Sequence, residues 1–254
     1  MFKKKLVLVL LFLLIPALIA SSAVKPENIM GMWFFDEGKG NTAVDSSGNK
    51  NDGTITSAKW TDGKFGKALL FEGAGGVKIN SSETLNLGAQ FTMMAFFNAK
   101  TLNDYHAIIC KNNEYLLRMD NLAEGGKMSA FVNLDNNWEP RASAFVPVKD
   151  KWYHYAAVYS SKTQSLVVYV DGVNSGQSGR AGKPNPNEDP VNISNWGGGS
   201  FFLGIIDDVA IFNVALEEND IKAISDNGLK AALGSKSVQP TGKLATTWGD
   251  VKGQ

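Results

Sequence analysis

The 254-residue chain contains a single cysteine, Cys110, so it cannot form a disulfide bond within itself. Cys110 lies in the apolar run of residues 107–110, which favours a buried small side chain over a reactive thiol. The stability of the fold must therefore come from a buried core, from a bound metal ion, or from both.

The sequence also lacks an excess of charge of either sign, because its 25 basic residues balance 25 acidic ones. No basic cluster occurs outside the N-terminus, which argues against nucleic-acid binding. Zinc-ligand spacing, a P-loop, a dinucleotide fingerprint and a nucleophile elbow are all missing. The two histidines are His106 and His154, and we expect His154, which stands between two tyrosines, to lie in the core. These absences disfavour the common classes of enzyme.

The N-terminus is typical of a secretory signal peptide. Lysines at positions 3–5 precede an apolar run of residues 6–20, and small residues lead up to Ala23, after which we expect cleavage. A retained membrane anchor is the alternative, but the run is short for a span and contains Pro16. The sequence thus predicts a secreted or extracytoplasmic protein with no membrane span after cleavage of residues 1–23.

Most of the remaining chain reads as short strands separated by turn residues, which favours an all-β sandwich or jelly roll. One helical pattern covers residues 217–227, and Gly228 is placed to end it. Residues 174–190 lack hydrophobic periodicity and predict a surface loop. We expect one domain over residues 24–228 and a weakly packed or disordered tail over residues 229–254.

Two adjacent carboxylates, Asp207 and Asp208, interrupt the strand-like run of residues 205–213. Because side chains alternate along a strand, we expect the two to point to opposite faces. The inward one then needs a cation, a basic side chain or backbone N–H groups, since an unpaired buried carboxylate is costly. The same alternation argues against a glycosidase acid pair on one strand face.

A calcium site is one solution for the buried carboxylate. Calcium takes about six to eight oxygen ligands, and the loop after the first strand supplies Asp36, Asp45, Asn51 and Asp52. Asp207 would be the distal ligand if the last strand pairs with the first. The alternative is that backbone N–H groups or a lysine satisfy Asp207 and that Asp45 caps a turn.

A sugar-binding surface is the second candidate site, because lectin sites combine aromatic platforms with amide and charged groups. Residues 133–141 and 195–198 have this mixture in loops. The alternative is that the asparagines form turns and the loop tryptophans pack onto the sheet. The predicted ligand-binding residues are Tyr105, Arg118, Asn136, Asn137, Trp138, Arg141 and Trp196.

A further signal comes from six segments, residues 33–40, 45–53, 63–71, 152–156, 168–172 and 206–212. Together they resemble LamG-like (laminin G-like) jelly-roll domains of the concanavalin A-like lectin/glucanase superfamily. The resemblance implies an all-β fold of two antiparallel sheets packed face to face, with one short C-terminal helix. In similar jelly rolls a structural calcium joins the terminal strands, which favours Asp36 and Asp207 as ligands with the 51–53 backbone nearby. The resemblance extends over residues 30–228.

These observations predict a secreted, non-catalytic binding module with a structural Ca²⁺. Its expected partner is an extracellular glycan or glycoprotein. Two alternatives remain: a protein–protein or matrix interaction module without sugar affinity, and a glycoside hydrolase. The Glu-x-Asp-x-x-Glu pattern of glucanases on this fold is absent, which favours a protein that is not an enzyme.

Overall fold

The computed structural model describes residues 24–102 and 104–233, so the predicted signal peptide and residues 234–254 of the predicted tail lie outside the described residues. The described part forms fourteen strands and two α-helices, α1 (Glu218–Asn227) and α2 (Leu229–Leu233). The strands are β1 (Ile29–Trp33), β2 (Thr42–Ala43), β3 (Gly53–Asp62), β4 (Lys67–Ile79), β5 (Gln90–Ala99), β6 (His106–Lys111), β7 (Tyr115–Met119), β8 (Met128–Val132), β9 (Ala142–Ser143), β10 (Trp152–Ser160), β11 (Ser165–Val170), β12 (Val173–Gly179), β13 (Val191–Ile193) and β14 (Leu203–Phe212).

All strand pairs are antiparallel and form two layers that meet at β14. The first layer runs β12-β11-β10-β5-β14-β1, and the second runs β2-β3-β4-β13-β6-β7-β8-β9. Residues 203–206 of β14 pair with β4, and residues 209–212 pair with β1. Strand β5 pairs with residues 204–207 and 210–212 of β14. The predicted two-sheet jelly-roll sandwich is confirmed, and so is the predicted pairing of the first and last strands.

The main core fills the space between the two layers. Along β7, Tyr115, Leu117 and Met119 face this core, whereas Leu116 and Arg118 face outward. This is the two-residue period expected of strands. It leaves each layer with an outer face, and the two outer faces differ in what covers them.

The outer face of the first layer is covered by the C-terminal helices. Ile221 and Ile224 of α1 and Leu229 of α2 are buried in an apolar cluster with residues of β5, β10 and β14. The predicted helix is confirmed, and Gly228 follows it with a φ of 80°. Because Leu229 is buried in α2, ordered packing continues past the predicted boundary at residue 228. Neither α1 nor α2 has the length and apolar character needed to cross a membrane.

The prediction of a loop over residues 174–190 is wrong for its first part. Residues up to Gly179 belong to β12, which pairs with β11 at the edge of the first layer. An edge strand with small polar side chains carries no hydrophobic period for sequence analysis to detect. Packing requires glycine at position 176, since a Cβ there would lie 2.1 Å from the carbonyl oxygen of Ser143.

His154 lies in the protein interior, as its sequence context predicts. Its ring stacks at an angle on Phe96, with 4.7 Å between ring centroids, and neither ring nitrogen has a hydrogen-bond partner among the described residues. Burial lowers the pKa of His154 to about 3, so the side chain is neutral at physiological pH.

Candidate functional site

A row of directly paired residues crosses the outer face of the second layer. Phe131 of β8 pairs with Leu116 of β7, which pairs with Cys110 of β6, followed by Asn192 of β13 and Lys78 of β4. Because neighbouring strands lie about 4.8 Å apart, this outer row spans roughly 19 Å. It is apolar at the Phe131 end and polar at the Lys78 end.

Two loop tryptophans lie over the apolar end of the outer row. Trp138 follows β8 and Trp196 follows β13, and their ring centroids are 6.3 Å apart. Trp138 also contacts Phe131 edge to face at 6.4 Å, and the Trp196 Nε1 group donates a hydrogen bond to Asn112 Oδ1 at 3.1 Å. Both indoles pack onto the sheet, as the alternative prediction for the loop tryptophans has it, yet both remain partly exposed. They form an aromatic platform with a fixed orientation.

Arg118 packs against aromatic rings of the platform and of its neighbours. Its guanidinium carbon lies 4.3 Å from the ring centroid of Tyr105, 4.6 Å from that of Phe131 and 5.7 Å from that of Trp196. These cation–π contacts are attractive, because the planar guanidinium of arginine stacks well on aromatic rings. The Tyr105 hydroxyl donates a hydrogen bond to Glu124, which lowers the pKa of that carboxylate.

Two arginines and three carboxylates form a connected network beside the platform. Arg118 donates to Asp120 at 2.8 Å and to Glu124 at 3.1 Å. Arg141 donates to Asp120 at 3.1 Å, to Glu139 at 2.8 Å and also to Glu124. Because these groups orient one another, the charged side chains next to the indoles are already positioned before a ligand arrives.

Five of the seven predicted ligand-binding residues therefore come together: Tyr105, Arg118, Trp138, Arg141 and Trp196. The other two, Asn136 and Asn137, form the turn that carries Trp138. Asn136 has a φ of 62°, and the Asn137 side chain accepts a hydrogen bond from the Glu139 backbone N–H at 2.9 Å. They shape the loop and are exposed at its tip.

The prediction that Asp207 and Asp208 point to opposite faces is wrong. Ile206 and Val209 both face the main core, and the pairing of β14 with β5 shifts register between Asp207 and Ala210. This β-bulge includes Asp208 with a φ of 44° and leaves both carboxylates outside the main core. Bulges insert an extra residue into one strand and so interrupt the alternation of side chains.

Both carboxylates are nevertheless buried. Asp207 Oδ2 accepts the backbone N–H of Phe65 at 2.9 Å, and Asp208 Oδ2 accepts that of Leu229 at 2.9 Å. Asp207 Oδ1 is buried without a hydrogen-bond partner in the described ranges. Burial raises the pKa of each carboxyl group to about 7. Asp208 accepts the first backbone N–H of α2 and so caps the start of that helix.

Asp36 binds the same turn as Asp207. Its Oδ1 atom accepts the Lys67 backbone N–H at 3.0 Å, and Lys230 approaches its Oδ2 atom at 3.4 Å. The negative charge of Asp36 contributes to the raised pKa of Asp207, after the larger effect of burial. The terminal strands thus bring two of the four predicted metal ligands to one turn, residues 62–67.

The other two predicted ligands, Asn51 and Asp52, lie in a separate network. Asn51 Oδ1 accepts from Ser82 at 2.8 Å, and Asp52 Oδ1 accepts the Asp45 backbone N–H at 2.8 Å. Asp45 caps a turn, which was the alternative to its role as a calcium ligand. It accepts hydrogen bonds from the backbone N–H groups of Met32, Ser47 and Asn51. Within residues 24–102 and 104–233, no three His, Cys, Asp or Glu side chains are grouped to hold a metal ion.

The family model of the concanavalin A-like lectin/glucanases superfamily matches residues 71–222, which is more than half of the chain. The chain belongs to this superfamily. The matched segment contains the whole platform and the charged network beside it. A search of curated proteins finds no match to the sequence.

Solved structures share the fold of this superfamily member at low identity. Domain 4 of AbnA, a GH43 extracellular arabinanase from Geobacillus stearothermophilus solved with arabinotriose, is 18% identical with a TM-score of 0.61, covering 78% of this chain and 98% of that one. The binding domain of Paraclostridial Mosquitocidal Protein 1 is 13% identical with a TM-score of 0.64, covering 79% and 52%. Trypanosoma rangeli sialidase is 17% identical with a TM-score of 0.58, covering 78% and 32%. The fold is therefore shared by binding domains and by chains of enzymes.

Several residues of the site in this superfamily member are not among those predicted from its sequence. Phe131 is the floor of the platform, and Asp120 and Glu124 orient the two arginines. The strand period could have assigned Phe131 to the outer face with Leu116. No local signal identifies Asp120 or Glu124, because their role depends on the register of β7 against β8 and of β8 against β9.

Proposed function

We propose that this protein is a secreted, non-catalytic module that binds carbohydrate on the outer face of its second layer. The observation that carries the proposal is the platform of Trp138 and Trp196 beside the oriented guanidinium groups of Arg118 and Arg141. Aromatic faces stack on the apolar faces of sugar rings, and charged groups bind their hydroxyls. Groups that are positioned in advance lose little conformational freedom on binding.

The similar structures support a carbohydrate ligand, and the electrostatics favour binding over hydrolysis. Domain 4 of the arabinanase was solved with arabinotriose, which supports a carbohydrate ligand for a chain with this fold. A glycosidase needs a carboxylic acid that stays protonated, whereas Tyr105 and Arg141 hold the pKa of Glu124 below its usual value. The carboxylates with raised pKa, Glu114, Asp207 and Asp208, are buried away from solvent. An oligosaccharide-cleavage assay addresses the hydrolase alternative, and turnover would contradict the non-catalytic proposal.

Truncation of the platform tests the binding site. We expect Trp138→Ala to weaken glycan binding by tenfold or more, since a central aromatic contact is worth about 2 kcal/mol. Ligands are first found on a glycan array, and their dissociation constants are then measured by calorimetry. Trp152→Ala on the opposite outer face is the matched control and should keep full affinity. Undiminished binding by the Trp138 variant would remove the platform from the proposal.

We also propose that a calcium ion binds at Asp36 and Asp207. The buried, unpartnered Asp207 Oδ1 atom supports this, because a cation would satisfy it and neutralise the charge at the turn. The set predicted from the sequence fits only in part, since Asn51 and Asp52 are bonded elsewhere. Any remaining ligands would have to be backbone carbonyls or water.

Chelation tests the calcium proposal through stability. A metal ion that binds only the folded state raises its stability, so a chelator should lower the Tm, and Asp207→Asn should abolish the difference. The pKa of about 7 exceeds the unfolded value of 3.8. The ion-free folded state therefore takes up a proton, and this contribution to stability is complete below pH 3.8 and lost as pH rises through 7. The chelator effect should be larger at pH 8 than at pH 5.5. Identical melting curves at pH 8 would contradict the site.

A further inference from the structure

The outer row continues beyond the platform to a second surface feature. A cavity of about 410 Å³ lies at its Lys78 end, and its polar lining side chains are Thr56, Lys78, Asn192 and Asn195. Asn192 and Lys78 are direct cross-strand neighbours on β13 and β4. The cavity therefore lies on the same sheet face as the platform, about two strands from Cys110, the row residue packed near Trp196.

One turn forms both the wall of this cavity and the support of Trp196. Asn195, Gly197 and Gly198 line the cavity, and Trp196 lies between them in sequence. The Asn195 side chain donates to the Gly75 carbonyl at 3.1 Å and accepts the Gly198 backbone N–H at 3.3 Å, which fixes the turn. A ligand that stacks on Trp196 would thus meet the cavity directly beside it, with the wall already in place.

The two ends of the outer row differ in charge. At the platform end, three carboxylates surround the two arginines, so the negative charges outnumber the positive ones. At the cavity end, Lys78 is exposed and makes no ion pair in the described part of the chain. Among the described residues, Lys78 is the only charged residue that lines the cavity. A negative group on a bound ligand would therefore be attracted to the cavity and not to the platform.

We propose that this cavity is a subsite for an acidic sugar residue, in which Lys78 binds its carboxylate or sulfate group while neighbouring sugar rings stack on the platform. The inference rests on the proposed carbohydrate binding and assigns the class of ligand. The amide of Asn192 and the hydroxyl of Thr56 line the cavity with Lys78 and offer partners for the ring hydroxyls.

Matched pairs of probes test this subsite in calorimetry with the full chain. The carboxylate arm compares an oligogalacturonate with its carboxyl-reduced form, and the sulfate arm compares a sulfated galactose oligosaccharide with its unsulfated form. We expect the acidic member of at least one pair to bind about three- to fivefold tighter at low salt, the range of an exposed charge pair. The preference should shrink as salt screens the charge.

Substitution of the lysine separates the subsite from the platform. Lys78→Gln should abolish the preference for the acidic probe without changing affinity for its neutral partner. Lys162→Gln, on an exposed turn of the first layer, is the matched control and should keep the preference. Trp138→Ala should weaken both members of a pair. Equal binding of acidic and neutral probes would overturn the subsite and leave carbohydrate binding standing, whereas failure of every probe to bind would overturn both.

Discussion

Replacing Lys111 by methionine is expected to lower the free energy of unfolding by about 3–5 kcal/mol, the cost of leaving one charge of a buried pair alone. Lys111 and Glu114 are both fully buried. The Lys111 ammonium donates to Glu114, to Asn86 and to the Asn187 carbonyl, the last at 2.8 Å. Glu114 also accepts the Leu87 backbone N–H at 2.9 Å. One ion pair thus joins three separate segments of the chain.

The pH dependence of this variant checks the mechanism. Burial raises the pKa of Glu114, and Lys111 opposes that shift. Without the lysine, the folded pKa should rise further above the unfolded one, so stability is lost as pH rises through it. Urea unfolding should therefore show a smaller defect at pH 5 than at pH 8. Lys111→Met combined with Glu114→Leu should recover much of the loss. Equal instability of the single and double variants would contradict this account.

An exposed ion pair provides the comparison. Lys100 and Asp150 form a bond of 2.7 Å, with side chains 47% and 51% exposed. We expect Lys100→Met to cost less than about 1 kcal/mol, because surface ion pairs contribute little. A similar cost at positions 100 and 111 would show that burial is not what makes the Lys111 pair important.

The main elements of the fold are predictable from local sequence, because each carries its own signal. Turn residues at Asn112 and Asn113 mark the β6–β7 hairpin, and apolar spacing in residues 217–227 marks α1. The bulge at Asp208 is different, since a strand-like run of residues gives no sign of an extra one. The importance of Lys111 is equally hidden. In the sequence it flanks an ordinary polar turn, and only the packing of Asn187 and Asn86 around it removes the charge from water.

The candidate site likewise has residues that local sequence reveals and residues that only the folded structure reveals. Trp138 and Trp196 are noticeable as aromatic residues in polar loops, and they do meet in the structure. What sequence cannot supply is the register that places Phe131 beneath them and Asp120 between two arginines. Arg180 is the clearest residue missing from the predicted site. It comes from the first layer and donates hydrogen bonds to three backbone carbonyls in and beside the loop that carries Trp138.

Arg180 is expected to position Trp138, so Arg180→Met should reduce glycan affinity nearly as much as Trp138→Ala does. The buried guanidinium donates to the Asn137 carbonyl at 2.7 Å and also to those of Val132 and Glu139. Methionine fills similar space but leaves these three acceptors unpaired, at a cost of roughly 2–4 kcal/mol in stability. Lysine should restore little, because one ammonium cannot match the planar fork.

The binding measurement must separate loss of position from loss of stability. Ile221→Ala removes buried volume beneath α1 on the opposite outer face and should destabilise the protein by about 2–5 kcal/mol. If positioning is the cause, this variant keeps glycan affinity at a temperature where both variants are folded, and Arg180→Met does not. The near-ultraviolet circular dichroism of the Trp138–Trp196 pair should change only in the Arg180 variant. Full affinity after Arg180→Met would mean that the loop holds Trp138 without the guanidinium, because its turn at Asn137 is then sufficient.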